Sequence, residues 1–168
     1  ALKDVTEKYG KKYTASAVGE VNVVAAMKAV KAVIGGEGNG GVILPELHYG
    51  RDALVGVALF LSHLAEMKMK CSRLRASYPA YHISKNKIQL TPNINVDEIL
   101  EKVREKYSRY PVNTSEGVRI DFEEEKQWVH LRKSNTEPII RIYAESADAV
   151  AAGRLAEKII ADIHEMIK

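Results

Sequence analysis

Seven consecutive residues, Arg132-Lys133-Ser134-Asn135-Thr136-Glu137-Pro138, place a guanidinium, two hydroxyls and an amide within one short connection. A phosphate dianion takes such a set: the planar fork of arginine, hydroxyl donors and the backbone N–H groups of a turn. Asn135 tolerates left-handed backbone and donates from its amide, and Pro138 lacks an N–H and stiffens the exit. An ordinary polar hairpin has the same composition, because turns are rich in Ser, Asn and Thr. On composition alone both readings stand.

A second cluster is Ile34-Gly35-Gly36-Glu37-Gly38-Asn39-Gly40-Gly41-Val42-Ile43. Glycine brings backbone close to a ligand and permits positive φ. The side chains between the glycines are Glu37 and Asn39, two residues apart. A carboxylate that accepts and an amide that both donates and accepts suit vicinal sugar hydroxyls. No Gly-Lys-Ser/Thr follows, so this is not a phosphate P-loop, and the spacing fails for a dinucleotide fingerprint. A flexible surface turn is the plain alternative.

Other chemistry-bearing residues are less telling. His48, Tyr49 and Arg51 precede an apolar helix and read as helix-entry polarity, with a sugar-facing role for His48 or Arg51 as the other reading. His63, His82, His130 and His164 lack metal-ligand spacing. The single cysteine, Cys71, cannot form an intrachain disulfide. The 168 residues are 46% hydrophobic and 28% charged, a globular composition, and no apolar run approaches the roughly 20 residues of a membrane span. Residues 1–72 hold 9 basic and 7 acidic side chains and residues 73–168 hold 16 and 15. That even balance speaks against a nucleic-acid-binding face.

The elements that must position the two clusters fall into two halves. In the first, residues 2–9 read as a helix ending at Gly10, residues 12–18 as a strand, and residues 21–31 as a helix with Val23, Met27 and Val30 at helical spacing. Asp52 can cap a helix reaching Met67 that is apolar nearly all round, a pattern expected of a helix buried between layers. Residues 1–72 hardly supply the covering surface, and the chain starts at Ala1, so a piece of a longer protein is expected. In the second half, strands are expected over 81–90, 118–122, 127–133 and 139–145. A helix follows Asn95, and Ser146 caps a final helix. The order β-α-β-β-β-α gives an α+β domain with a four-stranded antiparallel sheet and two helices on one face. By alternation Val129, Leu131, Ile140, Ile142 and Ala144 face the helices; Trp128, His130, Arg132, Ile139, Arg141 and Tyr143 face the other way.

Residues 36–43 and 132–138, in this order and at this separation, closely resemble two signature loops of the α-D-phosphohexomutases, and Val18-Gly19 resembles a further piece of their pattern. The resemblance implies a partial third domain of α/β type at 1–72 and a fourth domain at 73–168. It implies an enzyme, an isomerase acting as an intramolecular phosphotransferase between C1 and C6 of a hexose. A phosphoserine of the first domain and a Mg²⁺ held by the second would do the chemistry through a hexose 1,6-bisphosphate intermediate. On this carry-over Glu37 and Asn39 bind sugar hydroxyls, and Arg132, Ser134, Asn135 and Thr136 hold phosphate with Arg141 in support. No phosphoserine-like loop and no Asp-x-Asp occurs, so these residues would be inert alone and would work with N-terminal domains of the same chain. A cytoplasmic enzyme binding phosphosugar, with no nucleic acid or membrane partner, is what the resemblance implies. Many relatives have Ser at the position of Asn39 and His at that of Gly41, which leaves the sugar open. The alternatives are a phosphosugar-binding module without a catalytic parent, and a base-stacking sheet built on Trp128, Tyr143, Arg132 and Arg141.

Overall fold

Helix α1 (Leu2–Lys8) opens the chain and ends at Gly10, whose φ of 65° lies in the left-handed region. A computed structural model describes residues 1–91, 94–134 and 137–167, and it divides into two units, Ala1–Pro79 and Ala80–Lys168.

In the first unit, α2 (Glu20–Val30), β1 (Gly35–Gly36), β2 (Val42–Ile43), α3 (Ala53–Met67) and α4 (Cys71–Ala76) follow. The strands β1 and β2 form an antiparallel pair with Gly35 opposite Ile43 and Gly36 opposite Val42. Asp52 caps α3 by accepting from the Val55 N–H at 3.0 Å. That bond, with His48 second, holds the Asp52 carboxyl below its ordinary range. The small core joins Val23 and Met27 of α2 to Ile43.

One expectation fails here. Residues 12–18 form no strand. A strand persists by its hydrogen-bond ladder, and among the described residues no other segment pairs with this one. Helix α3, for which residues 1–72 are expected to supply too little covering surface, has no buried residue within this chain, and Leu54 is 80% exposed. Gly56 packs close to the Val42 side chain, so β2 covers one side of the helix, while Val57 and Leu61 remain exposed.

The second unit comprises β3 (His82–Gln89), α5 (Val96–Lys106), β4 (Val112–Asn113), β5 (Val118–Phe122), β6 (Gln127–Lys133), β7 (Ile139–Ser146) and α6 (Ala149–Ile167). The sheet has five antiparallel strands, not four, in the order β3-β7-β6-β5-β4. The extra strand is two residues long, too short to show alternation. Along β5 the side chains of Val118, Ile120 and Phe122 are buried while Arg119 and Asp121 between them are not. Together with Val129, Leu131, Ile140, Ile142 and Ala144 they meet Ile99 and Val103 of α5 and Ile159 and Ile163 of α6. Both helices therefore lie on one face.

Asn95 caps α5 through the Asp97 N–H at 3.1 Å and donates its amide to Glu98 at 3.0 Å. Helix α6 is capped by Asp148, which accepts from the Ala151 N–H at 2.9 Å, not by Ser146. Ser146 is instead the buried end of β7. Ile139, placed on the outward face by alternation, is buried, although it lies outside the main core cluster. The two helices are tied by Asp162, which accepts from Lys106 at 2.8 Å and from the Tyr107 hydroxyl. Burial pushes the Asp162 carboxyl up, but these bonds outweigh it and its pKa is lowered. The Tyr107 phenol is raised well above its usual value, first by burial and then by that bond. Among the described residues no helix is long and apolar enough to cross a membrane.

Candidate functional site

The 132–138 connection is the β6–β7 turn, closed by Ser134 N–H donating to the Ile139 carbonyl at 3.0 Å. Asn135 and Thr136 lie outside the described residues. The antiparallel register sets Arg132 directly opposite Arg141, and Lys87 of β3 opposite Arg141 on its other side. Like charges facing each other across strands are unfavourable, so this row gains from a counter-charge. Glu116 supplies one by accepting from Arg132. The Glu116 carbonyl also meets His130 Nε2. Gly117 makes that approach possible. Its φ is 72°, and a Cβ there would lie 2.1 Å from the Leu131 carbonyl oxygen. An open depression of about 540 Å³ has Arg132, Ser134 and Arg141 in its lining, beside Glu116 and Gly117. Lys133, on the opposite face of β6, pairs with Asp97 at 2.8 Å. Glu116 was not legible in the sequence: it stands 16 residues from Arg132, and only strand register brings the two together.

The glycine cluster closes on itself at the β1–β2 turn. Glu37 N–H donates to the Gly41 carbonyl at 3.0 Å, and Gly40 N–H to the Glu37 carbonyl at 3.1 Å. Asn39 Oδ1 accepts from the Gly41 N–H at 3.0 Å, which leaves the Asn39 amide nitrogen as its donor group. One Glu37 carboxylate oxygen accepts from the N–H of Gly19, the N-cap of α2, at 3.2 Å. A carboxylate at a helix N-terminus is favourably placed, and here that contact fixes the loop on α2. His48 Nδ1 accepts from Gly50 N–H at 3.0 Å, so its Nε2 carries the proton toward Asp52, 3.2 Å away. His48 thus serves the entry to α3. Arg51 does more than that: its side chain pairs with Glu20 at 2.8 Å and borders a depression of about 460 Å³ with Gly40 and Gly41.

The base-stacking alternative finds its central residue engaged. Trp128 donates from Nε1 to Glu145 at 2.8 Å, and the Arg119 guanidinium covers its ring at 4.5 Å. For a metal, no group of three or more His, Cys, Asp or Glu side chains gathers among the described residues. The groups at the two turns are hydrogen-bond donors and acceptors of the kind that hydroxyls and anions take.

Two family models match consecutive parts of the chain. Phosphoglucomutase/phosphomannomutase, alpha/beta/alpha domain III covers residues 1–81, and the phosphoglucomutase/phosphomannomutase C-terminal domain covers 89–162. The chain belongs to the phosphoglucomutase/phosphomannomutase family and carries its third and C-terminal domains. It is 35% identical over 163 residues to the phosphoglucosamine/phosphogalactosamine mutase of Sulfurisphaera tokodaii, covering 94% of this chain and 35% of that protein. It is 33% identical over 169 residues to the phosphoglucomutase/phosphomannomutase of Thermococcus kodakarensis, covering 99% of this chain and 36% of that protein. A crystal structure of a phosphoglucomutase/phosphomannomutase family protein from Burkholderia thailandensis shares the fold, with a TM-score of 0.75 at 23% identity over 96% of this chain and 34% of that one. The chain thus spans about a third of the length of the curated relatives it matches.

Proposed function

We propose that the chain is the sugar- and phosphate-binding part of a phosphohexomutase, a cytoplasmic isomerase that interconverts hexose 1-phosphate and hexose 6-phosphate. In this reading the unit carrying the glycine loop recognises the hexose through Glu37 and Asn39. Arg132, Ser134, Asn135 and Thr136, with Arg141, hold the phosphate that is not reacting. Transfer itself belongs to a phosphoserine and a Mg²⁺ in N-terminal domains outside these 168 residues, and a hexose 1,6-bisphosphate turns over between the two half-reactions. Binding energy from the remote phosphate is then used to orient the reacting end. The exposed apolar side chains of α3, Leu54, Val57 and Leu61, support neighbours of this kind.

The observation that carries the proposal is the cationic row. Arg132 and Arg141 face each other in register beside Ser134; Glu116 is set against Arg132, and the Lys133–Asp97 pair lines the same depression, so its three cations meet two carboxylates. A phosphate dianion supplies the remaining counter-charge. Isothermal titration of the chain with glucose 1-phosphate, free glucose and inorganic phosphate tests it. Glucose 1-phosphate should bind more tightly than glucose, and Arg132→Ala should remove the advantage. Equal binding of both sugars, unchanged by the substitution, would sink the phosphate clamp.

A further inference from the structure

The glycine loop carries two recognition side chains, Glu37 and Asn39, and each is already half engaged. One Glu37 oxygen holds Gly19 N–H, and the Asn39 oxygen holds Gly41 N–H. What remains is one carboxylate oxygen that accepts and one amide nitrogen that donates. A hexose presents adjacent hydroxyls, each of which both donates and accepts. A third group next to the loop would complete the set: Arg51 lines the depression bordered by Gly40 and Gly41, and its stem and Asn39 Oδ1 both crowd the bare Cα of Gly41.

The Arg51 stem lies over the Cα of Gly41. A Cβ at Gly41 would stand 2.8 Å from Arg51 Cδ and 3.2 Å from Cγ, and 3.3 Å from Asn39 Oδ1. Any side chain at position 41 therefore collides with the middle of the Arg51 side chain, which cannot yield without moving its guanidinium. That guanidinium is held from behind. Its Nε donates to Glu20 Oε2 at 2.8 Å, and the Arg51 backbone N–H donates to the other Glu20 oxygen at 3.2 Å. The two terminal nitrogens take no partner among the described residues, and the side chain is 51% exposed. An arginine fixed through Nε presents its remaining N–H groups as a preorganised fork.

We infer that Arg51, braced by Glu20 and seated on the bare Cα of Gly41, is a third sugar-contacting side chain of this loop and donates to the hexose hydroxyls. The inference rests on the sugar-binding reading of the loop and adds a residue to it. In this arrangement Arg51 and Asn39 donate on the two sides of Gly41, and Glu37 accepts from a further hydroxyl of the same sugar. Gly41 and Arg51 then act as one device: the glycine is required because of the arginine.

Nuclear magnetic resonance titration of the 168-residue chain tests this, with glucose 1-phosphate and inorganic phosphate as probes. The readout is the amide signals of Gly38, Gly40 and Gly41. Arg51→Ala should weaken the glucose 1-phosphate response of these amides about tenfold, the value of one charge-assisted hydrogen bond. Gly41→Ala should weaken it similarly in the parent chain and add nothing in the Arg51→Ala background. Additive losses in the double variant overturn the coupling. If Arg51→Ala shifts the loop amides without ligand yet leaves the affinity unchanged, Arg51 is a brace only and the inference fails. If inorganic phosphate alone reproduces the response, the site is an anion site and the inference fails. Glu37→Gln separates the two levels. Loss of binding there with none in Arg51→Ala defeats the inference and leaves the sugar reading intact. No response of the loop to glucose 1-phosphate in any form defeats both.

Discussion

The two units handle their apolar residues in opposite ways. In Ala80–Lys168 a five-stranded sheet and two helices bury a continuous cluster that runs from Ile88 through Leu131 and Ile142 to Ile163. In Ala1–Pro79 the cluster is Val23, Met27 and Ile43, with Leu74 buried on α4, while the apolar helix α3 has no buried residue. Both carry a polar loop proposed to bind substrate. The β6–β7 turn hangs from two strands whose inward side chains are fully packed, whereas the glycine turn is fixed mainly by polar contacts: Glu37 to Gly19, Asp52 N–H to the Val42 carbonyl, and Arg51 to Glu20. A recognition loop can thus be held by packing or by hydrogen bonds, and the two kinds of support fail differently.

The largest effect expected from this contrast is in the second core. Leu131→Ala, one residue before Arg132, should cost about 2–5 kcal/mol, read by urea unfolding followed through Trp128, the single tryptophan of the chain. A loss no greater than that of an exposed leucine would break the comparison. Next is Gly117→Ala. The residue sits at φ 72° with the Leu131 carbonyl in the way, so about 1–3 kcal/mol of strain and clash is expected. The variant should also displace Glu116 and alter glucose 1-phosphate binding, measured by titration.

Acid dependence sharpens the contrast further. The Asp162 carboxyl is held below its usual value, so its contribution is present above the unfolded-state pKa of about 3.9 and is lost as pH falls through the folded value. Asp162→Asn should therefore be destabilised at neutral pH, and the gap to the parent should close below about pH 4, as followed by thermal unfolding across pH. A gap that stays constant with pH would show that the Lys106 and Tyr107 contacts are not what it measures. The smallest effect is expected on α3: Leu61→Ser should change the unfolding free energy of this chain by no more than about 0.5 kcal/mol, because the side chain is exposed.

Much of the second unit, and the start of α3 in the first, was legible. Alternation along residues 118–122 and 127–133 placed Ile120, Val129 and Leu131 inward, and the Asp52 and Asn95 caps followed from residue type alone. The errors share a cause. Residues 12–18 have the composition of a strand but no ladder to join, β4 is too short for a period to exist, and Ser146 has the right side chain for a cap yet completes β7. Each depends on what lies beside the segment, not on the segment. At the sites, the types of Glu37, Asn39, Arg132, Ser134 and Arg141 could be read directly. Glu116 and the seating of Arg51 on Gly41 could not, because the first needs the β5–β6 register and the second needs the entry to α3 folded onto the glycine turn.

By itself the sequence offered candidates for phosphate and sugar recognition by residue type and determined which apolar stripes would seek a core, since both follow from side-chain chemistry and local period. Only the tertiary structure decided that Arg132 faces Arg141 with Glu116 against it, and that Arg51 lies across Gly41 with Glu20 behind it. Those pairings join residues 9 to 31 positions apart in the chain. Local propensity carries no information about such distances; strand register and the packing of separate elements set them.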